Sequence, residues 1–222
     1  MADLKLVMLF VTAFVTALSG ALMPGPVLFA TVRWSAERGR WVGPLVVAGH
    51  AVVEAPLMVA LIFGLGKLLS KDVFVGVVGL AGGAVLLAMG ALMLRGLPGL
   101  RLPASADGPG TGEGLWSLRV VGAGALTSVS NPYFTLWWAT VGLSFMTNAA
   151  PFGALGYCVF YAGHIMADLA WYGAVSESVH RGRRLLSDGS YRWLVGVCAV
   201  LLVGFAFYFS YKGYRFLTVP VA

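Results

Sequence analysis

Charge is what this sequence has least of. Only 11% of its 222 residues are Asp, Glu, Lys or Arg, less than half the roughly 25% usual in globular chains. A soluble protein so poor in charge could not cover its surface. With 59% hydrophobic residues and a mean hydropathy of +0.86, the chain falls in the membrane class. Catalytic signatures are missing as well. There is no paired redox cysteine, no HExxH zinc helix and no phosphate-binding loop. Cys158 and Cys198 lie in separate apolar runs and read as core thiols. These absences argue against an intramembrane enzyme or redox carrier, and no cofactor is expected. The net charge of +6 would suggest nucleic acid in a soluble chain. Here the basic residues sit between apolar runs, so the charge is a topology signal and no nucleic-acid partner is expected.

What the chain does have is long hydrophobic runs. A membrane helix needs about 20 apolar residues. Six segments qualify: Leu4 to Val32, Trp41 to Leu69, Val73 to Leu94, Leu118 to Met146, Pro151 to Val175 and Trp193 to Phe216. The first continues past Pro24, too long for a signal peptide's apolar core of about 7–15 residues, so it is read as a retained helix. The stretch from Arg95 to Glu113 is rich in Gly and Pro and reads as a flexible linker. The expected division is a first repeat over 1–96, a cytoplasmic linker over 97–114 and a second repeat over 115–222.

Ten of the fifteen basic residues fall in the first, third and fifth connections: Arg33, Arg38, Arg40, Arg95, Arg101, Arg119, Arg181, Arg183, Arg184 and Arg192. Lys5, Lys67, Lys71, Lys212 and Arg215 take the other side. The positive-inside rule puts the Arg-rich loops in the cytoplasm of a plasma (inner) membrane protein and both termini outside. Trp34, Trp41, Trp116 and Trp193 flank apolar runs as interfacial anchors.

The two halves echo each other. Met23-Pro24-Gly25-Pro26 interrupts the first segment, and Asn131-Pro132 interrupts the fourth. The next segment in each half carries Ala-Gly-His followed four residues later by an acid: His50 with Glu54, and His164 with Asp168. Three helices per half is an odd number, so two copies must insert in opposite senses. The expected fold is an all-α integral membrane protein with six transmembrane helices in two inverted three-helix repeats, helices 1 and 4 broken at Pro.

A mid-helix Pro frees backbone carbonyls, which in lipid survive only against protein or a wet cavity. The resumed half-helix points free N–H groups and a positive dipole end inward, suited to a carboxylate. Pro24, Gly25, Pro26, Asn131 and Pro132 are therefore candidate substrate-binding positions, against the plainer reading of structural kinks. His50, Glu54, His164 and Asp168 are ionisable groups within apolar runs, functional candidates by default. Three readings stay open for them. They form a proton relay that couples an ion to transport, a divalent-metal site of two His and two carboxylates, or structural hydrogen bonds between helices. Each His, by spacing, can donate to the acid four residues on, or the two pairs can meet across the pseudo-twofold axis. Glu177 reads as an interfacial charge, and Trp137, Trp138 and Trp171 as cavity lining or packing. Gly79 and Gly83 form a GxxxG for close helix packing within the chain, with a homodimer as the lesser option.

Taken together these residues resemble the LysE/RhtB-type amino-acid exporter family over nearly the whole chain. The resemblance rests on Met23-Pro24-Gly25-Pro26 with Arg38-Gly39-Arg40, the Gly-rich run Ala81 to Gly90, Asn131-Pro132, Glu54, and Asp168 followed by Trp171. It implies a secondary transporter exporting amino acids or related small zwitterionic metabolites, driven by an ion gradient, with no cofactor. It makes Pro24, Gly25, Pro26, Asn131, Pro132, Glu54 and Asp168 the candidate functional positions. His50 and His164 are additions to the family pattern. They keep open the alternative of a divalent metal-cation exporter. The expected partners are the lipid bilayer, a small-molecule substrate and a coupling ion, a proton before others.

Overall fold

The structure, a computed structural model, describes residues 2–69, 71–102, 113–182 and 187–218. Most of the predicted linker, together with Arg183 and Arg184, lies outside the described residues. Among the described residues every regular element is a helix: α1 (Ala2–Ala21), α2 (Pro26–Arg38), α3 (Val42–Ala60), α4 (Gly66–Leu69), α5 (Asp72–Gly96), α6 (Glu113–Val129), α7 (Pro132–Trp137), α8 (Leu143–Ala149), α9 (Gly153–Gly182) and α10 (Asp188–Thr218).

Four helical stretches are long and apolar enough to cross a membrane: Asp3–Ala21, Val42–Leu65, Asp72–Gly99 and Asp188–Thr218. The apolar stretch Leu115–Val129 of α6 is shorter. The 30-residue α9 has the length but not the hydropathy, because His164, Asp168 and Ser176 line the face it turns inward. Its outward face carries Leu155 and Met166. A helix that keeps its polar residues inside a bundle can be less apolar than a lone span.

Both expected proline breaks are present. The chain leaves α1 at Ala21 and re-enters helix at Pro26, with extended backbone at Gly25. It leaves α6 at Val129 and resumes at Pro132, where the Asn131 side chain accepts the Tyr133 N–H. Two further interruptions were not expected. A π turn at Leu61–Leu65 contains Gly64 at φ 102°, a left-handed conformation that glycine adopts readily. A second π turn, Trp138–Gly142, separates α7 from α8.

Small residues set the packing. On α3, a Cβ at Gly49 would lie 1.9 Å from the Val121 carbonyl of α6. On α9, a Cβ at Gly163 would lie 2.6 Å from the Phe10 carbonyl of α1. The glycine of each Ala-Gly-His thus lets a helix from the other half come into backbone contact, one residue before the histidine. The GxxxG of α5 is covered by α10, with Gly79 against Phe209 and Gly213 and Gly83 against Ala206 and Ser210. That face is used within the chain and is closed to a second copy.

The arginine-rich connections gather at one end. Arg192 donates to the Leu100 carbonyl at 2.6 Å, Asp188 accepts the Leu102 N–H at 2.8 Å, and Ser176 donates to the Arg40 carbonyl at 2.8 Å. Arg33 lies 3.5 Å from Glu37, and Arg181 pairs with Glu177, which is half-buried near the end of α9. Cys158 departs from expectation. It is exposed on the outer surface of α9 and not in the core, because the helix turns Phe160 and His164 inward instead.

Candidate functional site

The two histidine–acid pairs meet. His50 and Glu54 occupy adjacent turns of α3, His164 and Asp168 adjacent turns of α9, and the two helices pack together. Glu54 is the centre. Its Oε1 lies 2.9 Å from His50 Nε2 and 2.9 Å from His164 Nε2. It also accepts a hydrogen bond from Trp138 Nε1 at 2.9 Å. Asp168 Oδ2 stands farther off, 3.5 Å from His50 Nε2 and 3.8 Å from His164 Nε2. Of the two arrangements expected, each histidine on its own acid or the two pairs meeting, the pairs meet, and both imidazoles converge on Glu54.

The setting is nearly dry. Glu54 is 1% exposed, Asp168 4% and His164 5%. The rings of Trp137, Trp138 and Phe160 surround His164, with centroids 4.7, 5.6 and 6.1 Å away. Three buried polar atoms of the cluster lack a hydrogen-bond partner: Glu54 Oε2, His164 Nδ1 and Asp168 Oδ2. Unpaired buried polar atoms are costly, by about 1–3 kcal/mol each, and mark places where function overrides stability.

Sequence reading singled out neither of two supporting residues for its role here. Ser128 of α6 sits 2.6 Å from His50 Nδ1 and donates to the Gly124 carbonyl at 2.6 Å. The visible signal was a polar Thr127-Ser128 pair inside an apolar run, just before the Asn131-Pro132 break. Trp138 is fully buried, and its indole is one of the hydrogen-bond donors to Glu54. Trp138→Phe keeps the packing against Phe160 and removes that N–H. The loss of one hydrogen bond to a charged group is expected to lower stability by about 1.5–3 kcal/mol, read as a fall in melting temperature in detergent. An unchanged melt would mean that the bond contributes nothing.

The predicted helix-break residues lie next door. A cavity of about 50 Å³ is lined by His50, Glu54, His164 and Asp168, together with Ser128 and Asn131. A neighbouring cavity of about 40 Å³ is lined by Pro24, Gly25, Pro26 and Asn131. Both are bordered by Gly20, Val27 and Tyr172. Gly25 and Asn131 face each other, since a Cβ on Gly25 would be 3.4 Å from Asn131 Nδ2. Pro132 packs elsewhere, its ring against Gly82 of α5. A far larger groove of about 980 Å³ runs along α5, α7 and α10, but it is apolar and holds none of the four ionisable residues. The four ionisable side chains line the small central cavity instead.

Residues 18–213 match the family described as LysE type translocator. The chain is also similar to YcgF of Bacillus subtilis, named as a candidate amino acid efflux protein, at 27% identity over 209 residues, 93% of this chain and 97% of the relative. It is 28% identical over 200 residues to ChpE of Pseudomonas aeruginosa, named a chemotactic transduction protein, with 89% and 95% of the two chains covered. No solved structure gives a significant match.

Proposed function

Because the chain belongs to the family of LysE type translocators, we propose that it is a secondary transporter that exports amino acids or related small zwitterionic metabolites, coupled to an ion gradient, before others of protons. The carrying observation is the buried meeting of two carboxylates and two imidazoles from corresponding helices of the two halves. Such a cluster favours a cation, either the coupling ion or the ammonium of a zwitterion. The helix start at Pro26 and the amide of Asn131 border the adjoining cavity, where a carboxylate would be received. The efflux role in the name of YcgF supports the same class of cargo.

The architecture proposed is six membrane-crossing units in two inverted repeats. Paired contacts support it: α3 packs on α6 as α9 packs on α1, α2 touches α10 as α7 touches α5, and the corresponding helices α3 and α9, and α5 and α10, pack against each other. The Arg-rich end is proposed to be cytoplasmic, in the inner membrane, with both termini outside. The central cavities are smaller than an amino acid, so passage requires the broken segments to move. Gly25, in extended backbone between α1 and α2, is a natural hinge.

Export of a divalent cation is the second reading, favoured by one observation: the four side chains offer ligand atoms that all lie within 4.8 Å of one another. A melting scan of the detergent-purified protein against L-amino acids and divalent metals separates the two. A ligand of the native state raises apparent stability by RT ln(1 + [L]/Kd). A shift with an amino acid that is absent in Asp168→Asn supports the first reading. Metal flux into liposomes without amino-acid flux would replace it with the second.

A further inference from the structure

We infer that His50, Glu54, His164 and Asp168 form a four-coordinate binding site for one divalent transition-metal ion of the zinc class. The inference rests on the geometry of the cluster and not on the identity of the exported cargo.

Distances come first. Zinc binds imidazole nitrogen and carboxylate oxygen at about 2.0–2.2 Å, so neighbouring ligand atoms of a tetrahedral site lie roughly 3.3 Å apart. The four N···O edges of this cluster are 2.9, 2.9, 3.5 and 3.8 Å. They straddle that value, and since all four ligand atoms lie within 4.8 Å of one another, the widest edge must close by up to about 1.5 Å for a tetrahedral ion.

Protonation comes second. Ser128 has one hydroxyl hydrogen, which it gives to the Gly124 carbonyl. It therefore accepts from His50 Nδ1. In the neutral imidazole this leaves the Nε2 lone pair directed at two carboxylate oxygens, an arrangement that a cation between them resolves. The bond at the outer ring nitrogen is what orients metal-ligating histidines in general. Trp138 plays the corresponding part for Glu54, bonding to its carboxylate from outside the cluster.

The third argument is desolvation. Glu54 Oε2 and Asp168 Oδ2 are buried without hydrogen-bond partners, so each carboxylate keeps one oxygen with no donor to give up, while Glu54 Oε1 holds the Trp138 N–H. Two carboxylates and two neutral imidazoles neutralise a divalent ion in a setting with little water. The ligand set of nitrogen and oxygen suits zinc, cobalt and their neighbours, whereas calcium and magnesium prefer all-oxygen shells.

The test uses the full chain in detergent, stripped with a chelator and titrated with Co²⁺ and then Zn²⁺. The expected result is one Co²⁺ per chain with the intense visible absorption of a four-coordinate ion, displaced by one Zn²⁺. His50→Gln and His164→Gln should each abolish the signal, while His180→Gln, at the far end of α9, should leave it intact. Ser128→Ala removes no ligand. It should weaken Co²⁺ affinity by roughly 10–100-fold with the spectrum retained, which keeps the test alive should the histidine variants fail to fold. No stoichiometric binding, a weak six-coordinate spectrum, or binding that survives loss of both histidines would overturn the inference. Labelled Zn²⁺ and amino-acid flux in liposomes then separate the roles. Movement of Zn²⁺ alone keeps the site and removes the proposed cargo. Movement of amino acids without bound metal in the titration removes the site and keeps the cargo.

Discussion

Substituting Gly49 by Val is expected to leave little folded protein to purify. A Cβ there would sit 1.9 Å from the Val121 carbonyl oxygen and 2.8 Å from the Ala125 nitrogen, both backbone atoms of α6. Backbone cannot turn aside as a side-chain tip can. The seam between α3 and α6 would have to open, and the contact of His50 with Ser128 crosses it. Overpacking a core usually costs about 1–3 kcal/mol, and that figure is a lower bound here. Gly49→Ala should already lower the melting temperature, and Gly163→Val should act in the same direction on the α9–α1 seam. Gly122→Ala is the control, since nothing lies within 4 Å of its would-be Cβ; it should not lower stability and can raise it by up to about 1 kcal/mol, the usual gain on removing a mid-helix glycine. Monodisperse elution and a wild-type melt from Gly49→Val would contradict the packing described for this seam.

Glu54→Gln combined with Asp168→Asn is expected to remove gradient-driven transport while the fold survives. The amide oxygen of Gln can still accept from the Trp138 indole, and the volumes are nearly unchanged. What disappears is the negative charge that, in the proposed mechanism, holds a cation between the two imidazoles. Glu54→Ala is a different experiment. It leaves the Trp138 N–H without an acceptor and both imidazoles without the carboxylate they face, and breaking a buried charged network by removing one partner costs about 3–5 kcal/mol. The amide variants should therefore melt close to the wild type and carry cargo at the level of empty liposomes when a gradient is imposed. Full coupled flux from the double variant would mean that the cluster is a structural lock.

Much of this was legible in the sequence because it depends on local spacing. Apolar run lengths located the helices, Pro24 and Pro132 located both breaks, and a four-residue interval put each histidine and acid on one helix face. That the two faces could meet across the axis was legible from the repeat; that both histidines would turn to one acid was not. His50 and His164 both turn to Glu54 because α3 and α9 pack together, and no interval within one helix reports that. Ser128 and Trp138 reach the cluster from α6 and the π turn after α7, across 78 and 84 residues of chain. The two halves also differ in a way that only the packing reveals. Val121 meets Gly49 and Phe10 meets Gly163. Seven residues beyond Val121 stands Ser128, and seven beyond Phe10 stands Ala17. Ala17 has no hydroxyl to offer, and His164 Nδ1 is correspondingly without a partner. The π turns escaped as well, since Leu61–Leu65 and Trp138–Gly142 carry ordinary membrane-helix sequence apart from their glycines.

The central claim is that the buried cluster couples cargo to an ion gradient. The direct measurement is flux of labelled L-amino acids in liposomes holding the purified protein, with and without an imposed proton gradient. The account predicts transport of a subset of amino acids that is accelerated by the gradient, abolished by a protonophore, and absent in the Glu54→Gln, Asp168→Asn double variant. Transport that is indifferent to the gradient, and equal in wild type and double variant, would contradict it.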